Sequence, residues 1–233
     1  MEYTMTIYVF GASADSLAGL PHSAGYETAC MQVSPAQTAV RVKADSPEAL
    51  RQASQHIADL VGKEHIISEQ GECLQSALVH QLKVRGLHIA TAESITGGML
   101  SKMITDVSGA SEVFECGVCS YSNRIKHGIL GVSEQTLREY TEYSSRTAAE
   151  MAEGVKRISG ADIGLSTTGL AGPGGGTDEK PVGLVYVGVS MPDSTRTYRL
   201  LLDEDGTKSR DDIRQCAAAN ALFLVLKALD IPQ

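Results

Sequence analysis

The chain has 233 residues, 42% of them hydrophobic and 21% charged, with no Trp and an aromatic fraction of 5%. This suffices for an aliphatic core in one large domain or in two unequal ones, and it speaks against extended disorder. Twenty Lys and Arg against 28 Asp and Glu give a formal charge of −8, which argues against the broad basic face of a nucleic-acid binder while leaving room for a local anion site.

The apolar run Ile7 to Phe10 is too short for a secretory leader and has Glu2 rather than a cation before it. No stretch has the length of a membrane span. Five cysteines, an odd number at irregular spacing, point to a reducing compartment, so a cytoplasmic location is expected. Cys116 and Cys119 form a lone C-x-x-C without a second ligand pair, and neither a metal nor a cofactor is expected.

In chain order, Thr4 to Phe10 and Thr38 to Lys43 read as strands separated by a Gly-, Ser- and Pro-containing stretch. Ser46 caps a helix with Pro47 at its first position and an apolar face of Leu50, Ala53, Ile57, Leu60 and Val61. His65 to Ser68 is a short strand. The first 70 residues are thus predicted as a small β-β-α-β domain of α+β class, joined through residues 69–72 to a second domain over 71–233.

From Cys73 helix and strand alternate, the signature of a layered α/β domain. A helix carrying Leu74, Ala77, Leu78 and Leu82 is stopped by Gly86, and Leu87 to Ala92 follows as a strand. Beyond the turn at Ser94 a helix is predicted from near Thr96, with Leu100, Met103, Ile104 and Val107 on one stripe. Val113 to Tyr121 reads as a strand, then helices at Asn123 to Leu130, Ser133 to Tyr140 and Ser145 to Ile158. Ala161 to Thr168 is a strand, Val182 to Met191 and Thr195 to Leu202 an antiparallel pair, and Lys208 to Leu229 the last helix. The predicted architecture is helix, mixed sheet, helix.

Three segments at predicted strand ends carry groups capable of chemistry. Ser94 sits at a strand-to-helix turn beside Thr96, Gly97 and Gly98, where free helix amides could hold an oxyanion or phosphate, or where the hydroxyl could simply cap the helix. Lys126, one turn into a helix after Tyr121, could act as a base of lowered pKa with Tyr121 as relay, or be an ordinary solvated lysine. Thr168-Gly169-Leu170-Ala171-Gly172-Pro173 runs into three further glycines, a backbone able to approach a ligand, with Lys180 as a nearby cation. Arg210 and Arg214 could clamp an anion or pair with Asp211 or Asp212.

Together these blocks, with Lys180-Pro181-Val182-Gly183, resemble the C-terminal domain of the competence/damage-inducible CinA family, whose stand-alone members are nicotinamide-mononucleotide amidases. The resemblance implies Ser94 as nucleophile, with Lys126 and Tyr121 handling protons. It implies substrate contacts at Thr168 and Arg210, beside backbone contacts at Thr96, Gly97, Gly98 and Gly169. It further implies a small nucleotide substrate and a homo-oligomer, a dimer being the default for such enzymes, while the sequence itself argues against a membrane or nucleic-acid partner. Residues 1–70 are similar to the KH-like middle domain of longer CinA proteins; the metal-dependent domain that precedes it there has no counterpart in this sequence. Ile95 departs from the small residue common in the family. A catalytically silent nucleotide-binding or adaptor protein of the same fold is the alternative, and a short-chain oxidoreductase fits poorly because Tyr121 and Lys126 are five residues apart.

Overall fold

The computed structural model describes residues 2–18, 20 and 25–230. Residues 19 and 21–24 of the predicted connecting stretch, residue 1 and residues 231–233 lie outside them. The chain divides into two compact units, Met1–Ala77 and Leu78–Gln233.

In the first unit, strand β1 (Tyr3–Phe10) is followed by a short helix α1 (Ala14–Leu17), strands β2 (Tyr26–Ser34) and β3 (Gln37–Ala44), helix α2 (Pro47–Val61) and strand β4 (Ile66–Ser68). The antiparallel sheet has the order β2-β3-β1-β4. Alternate residues Ile7, Val9, Val40 and Val42 meet Ala49, Ala53 and Ile57 of α2 in the core. Ser46 caps α2, accepting from the Ala49 amide at 3.1 Å, with Pro47 at the first turn as expected. The unit is therefore β-α-β-β-α-β rather than β-β-α-β. The strand missed by sequence, β2, is an edge strand whose inward positions are Tyr26, Thr28 and Cys30, too polar a set to declare a strand by hydrophobicity.

In the second unit, α3 (Leu74–Arg85), whose first turn lies in the first unit, leads to β5 (Ile89–Glu93), α4 (Met99–Thr105), β6 (Phe114–Cys119), α5 (Asn123–Leu130), α6 (Glu134–Glu139), α7 (Ser145–Ser159), β7 (Ile163–Gly169), β8 (Leu184–Ser190), β9 (Thr195–Leu201) and α8 (Arg210–Asp230). The mixed sheet has the order β6-β5-β7-β8-β9. Strand β5 is parallel to both β6 and β7, whereas β8 and β9 are antiparallel additions.

Helices cover both faces. Helix α7 packs on β5, β7 and β8, with Ala90, Ala92, Leu130, Met151 and Val155 in one cluster. It comes so close that a side chain on Gly164 would sit 2.0 Å from the Ala152 carbonyl. The other face of β5 carries Thr91 and Glu93 toward α4, which packs in turn on α8. Because β6 and β7 flank β5 and were reached by crossovers in opposite directions, the ends of these three strands define a topological switch point, where open α/β sheets bind ligands. Ser94 directly follows the central one.

Candidate active site

The turn after β5 is organised by a buried carboxylate. Glu93 ends the strand fully buried, and its side chain accepts from the amides of Gly98 at 2.8 Å, Leu100 at 3.0 Å and Ser101 at 2.8 Å, and from the Ser101 hydroxyl. Burying an anion is tolerable only when its lone pairs are met in this way. Two expectations are corrected here. The helix starts at Met99 rather than near Thr96, because Gly97 (φ +57°) and Gly98 (φ +97°) take the left-handed conformation and turn the chain before it. The amides at the start of α4 are engaged by Glu93, so they do not serve an oxyanion.

Ser94 is thereby held on a loop pinned from two sides. Its own amide donates to the Thr167 carbonyl at 2.9 Å, and the hydroxyls of Thr96 and Thr167 are 2.7 Å apart. Arg214 reaches from α8 to donate to the carbonyls of Ile95 at 3.1 Å and Thr96 at 2.8 Å. Of the two roles open to it in the sequence, Arg214 thus takes the pairing, with Asp211 at 3.7 Å, and its other donors fix main chain.

Lys126 is the second component, and it is no solvated lysine. Its side chain, 1% exposed, comes from α5 behind the end of β6. The ammonium donates to the Ser94 hydroxyl at 2.9 Å, to the Ser120 carbonyl at 2.9 Å and to the Tyr121 carbonyl at 3.3 Å. Burial lowers its pKa from 10.5 to about 8, while the negative charge of Glu142 acts in the opposite sense. A neutral amine has two N–H bonds and one lone pair. The two carbonyls can only accept, so the lone pair is left to face the one partner able to donate, the Ser94 hydroxyl.

A cavity of about 230 Å³ opens over this pair, lined by Ser94, Ile95, Tyr121, Lys126, Glu142, Tyr143, Arg210 and the loop after β7 from Gly169 to Gly175. Tyr121 is 68% exposed, and its phenol accepts from Arg210 at 3.4 Å; what Lys126 contacts is the backbone of Tyr121. Arg210 also donates to the Gly172 carbonyl at 2.6 Å. Of the residues singled out from sequence, Ser94, Tyr121, Lys126, Gly169 and Arg210 meet at the cavity. Thr96, Gly97 and Gly98 do not line the cavity: Thr96 is buried, and a side chain on Gly97 would meet Arg214 and one on Gly98 would meet Cys119. Thr168 is buried on β7 and donates to the Glu142 carbonyl at 2.6 Å, while Lys180 is occupied by the Thr141 hydroxyl at 2.6 Å.

Glu93, Glu142 and Tyr143 escaped the sequence reading. A charged residue closing a buried strand just before two glycines is a usable signal for Glu93. Glu142 and Tyr143 sit in a short polar connection between two helices, which carries no such mark. Tyr143 has its phenol pKa raised, by burial first and then by the negative charge of Glu142.

Comparison with known proteins bears on the fold and the family. The model of the CinA C-terminal domain matches residues 71–229. A protein of Caldanaerobacter subterraneus subsp. tengcongensis named for competence-damage induction is 44% identical over 183 residues, covering 78% of this chain and 43% of that protein. A CinA-like protein of Kosmotoga olearia is 46% identical over 166 residues, covering 71% and 39%. This chain therefore spans about two fifths of the length of the curated relatives it matches. The crystal structure of the competence/damage inducible protein CihA from Agrobacterium tumefaciens superposes with a TM-score of 0.64 at 34% identity, over 68% of this chain and 94% of that one. Among the described residues no helix is long and apolar enough to cross a membrane. The chain belongs to the CinA family, with its CinA C-terminal domain at residues 71–229.

Proposed function

We propose that the second unit is an amidohydrolase that converts the carboxamide of nicotinamide mononucleotide to a carboxylate with release of ammonia. One observation carries this reading: the buried Lys126 amine, its pKa lowered to about 8, lies 2.9 Å from the Ser94 hydroxyl, both lining a cleft of about 230 Å³. A serine hydroxyl needs a base, and a lysine serves as one only where its neutral form is accessible. With a pKa of about 8, roughly a tenth of the amines are neutral at pH 7, against well under a thousandth for a solvated lysine.

In the proposed cycle the neutral Lys126 amine takes the Ser94 proton as the oxygen attacks the amide carbon. The same proton passes to the nitrogen, the C–N bond breaks, and ammonia leaves an ester on Ser94. Water then attacks that ester, Lys126 takes its proton and returns it to the Ser94 oxygen, and the carboxylate is released. The tetrahedral oxygen falls to backbone N–H groups beside the cavity, from Ile95 or from the Ala171–Gly175 loop, since those of α4 are held by Glu93. Arg210, with the Gly-rich backbone, supplies the site for the phosphate. The phenol of Tyr121, in contact with Arg210, stands at the cleft mouth, where it can close over the substrate and assist the proton's passage to the leaving nitrogen.

The test is ammonia release from the mononucleotide by the purified chain. Wild type should release it and Ser94→Ala should not. Binding by calorimetry without any release would instead support a silent nucleotide-binding protein.

A further inference from the structure

One feature of the cavity works against the chemistry just proposed. Glu142 places a carboxylate in the same cleft as Ser94 and Lys126, and its charge favours the ammonium form of the base. An enzyme relying on neutral Lys126 would do better without it, unless a positive charge arrives with the ligand.

The backbone shows that Glu142 is deliberately held. Thr141, a β-branched residue, has φ +64°, the one non-glycine residue with positive φ among those described. That conformation costs on the order of 1–3 kcal/mol and persists only where its surroundings enforce it. Here four side chains do so. Lys180 donates to the Thr141 hydroxyl at 2.6 Å, Ser144 and Thr147 donate to the Thr141 carbonyl at 3.2 and 2.7 Å, and Thr168 donates to the Glu142 carbonyl at 2.6 Å. The Glu142 side chain itself is half-buried and accepts from Asn123 Nδ2 at 3.3 Å, with Tyr143 lining the same cavity.

We propose that Glu142, with the Tyr143 ring beside it, is the subsite for a cationic heterocycle, so that the cleft selects substrates whose amide-bearing ring is positively charged and whose other end is an anion met by Arg210. A carboxylate and an aromatic face are the two groups that recognise an organic cation. The ring's charge offsets that of Glu142 and removes the influence that keeps Lys126 protonated, which couples arrival of the correct substrate to activation of the base. Thr168, buried and out of the cavity, becomes a positioning residue acting through the Glu142 backbone. This inference rests on the amidase reading for where the ring lies.

The experiment uses the full chain carrying Ser94→Ala, so that ligand is not consumed, and two probes differing in ring charge. These are nicotinamide mononucleotide, with its pyridinium, and the reduced 1,4-dihydropyridine form, whose ring is neutral. Calorimetry should show the cationic form binding about tenfold tighter. Adding Glu142→Gln should erase that preference by weakening the cation alone, with the neutral probe and the melting temperature unchanged as the check on folding. Should the Gln variant melt early, Glu142→Asp, which withdraws the carboxylate by one methylene, is read in the same way. Thr168→Val should reduce the preference part-way. Equal binding of the two probes, or a preference that survives Glu142→Gln, overturns the proposal and leaves the amidase reading standing. Failure of both probes to bind brings down the two together.

Discussion

The base proposed for this site can be interrogated by pH alone. If Lys126 must be neutral to accept the Ser94 proton, kcat/KM should rise with pH, fall off about tenfold per unit on the acid side, and bend to a plateau near pH 8. The same shift has a signature in stability. The folded chain holds this amine at about 8 whereas the unfolded chain holds it at 10.5, so between those values the unfolded state binds the extra proton. Stability from this group therefore increases as pH rises through the window, by up to about 3 kcal/mol, and is absent below it. The kinetic assay is ammonia release at subsaturating substrate from pH 5.5 to 9.5; the thermodynamic one is urea unfolding of wild type against Lys126→Met at pH 7.5 and 10, the difference isolating Lys126 from other titrating groups. A limb near pH 6 would report the ionisation of the substrate phosphate instead. A profile flat from 6 to 9, or a wild-type-minus-variant stability that does not grow with pH, would refute the lowered pKa as the basis of catalysis.

Other consequences follow from the same contacts. Ser94→Ala should lower turnover by at least about a thousandfold while leaving the urea midpoint almost unchanged. Glu93→Gln should destabilise the second unit by about 2–4 kcal/mol in denaturant titration, because a buried acceptor of three amides and a hydroxyl gains two N–H groups with nothing to receive them. Arg210→Met should raise KM about tenfold or more with little change in kcat, and the dephosphorylated nucleoside should show the same loss with wild type, so that the two deficits do not add. Gly164→Ala should cost more than about 2 kcal/mol by calorimetric melting, since the added methyl would stand 2.0 Å from the Ala152 carbonyl. Glu142→Gln should move the acid limb of kcat/KM to lower pH, the remaining charged and titratable lining groups, Tyr121, Tyr143 and Arg210, being unaltered.

The parts of this molecule legible in its sequence are those where local rules and tertiary needs coincide. Helix α2 announces itself through Ser46, Pro47 and a clean apolar stripe, and β5 and β7 of the second sheet are short buried runs that lead into glycine-bearing turns. Ser94 and Lys126 stand out because each is a functional group at a strand end. Their mutual distance is a different matter, being set by the order in which β5, β6 and β7 join the sheet, and no residue pattern specifies that order. The start of α4 is illegible for a related reason: periodicity sees an apolar stripe, whereas the actual boundary is dictated by Glu93, a side chain that captures the first amides from outside the helix. Strand β2 is hidden by polar inward positions on a sheet edge, and Glu142 by a connection whose conformation is imposed by Ser144 and Thr147 close by in the chain and by Thr168 and Lys180 far along it.

The central claim, that Ser94 is the nucleophile, is tested most directly by trapping what it forms. In a single turnover with enzyme in excess over nicotinamide mononucleotide, acid-quenched at successive times and digested for mass spectrometry, the peptide containing Ser94 should carry a transient acyl ester of the nucleotide that rises with ammonia release and then decays. Ammonia released at full rate while that peptide stays unmodified at every time point would contradict the account.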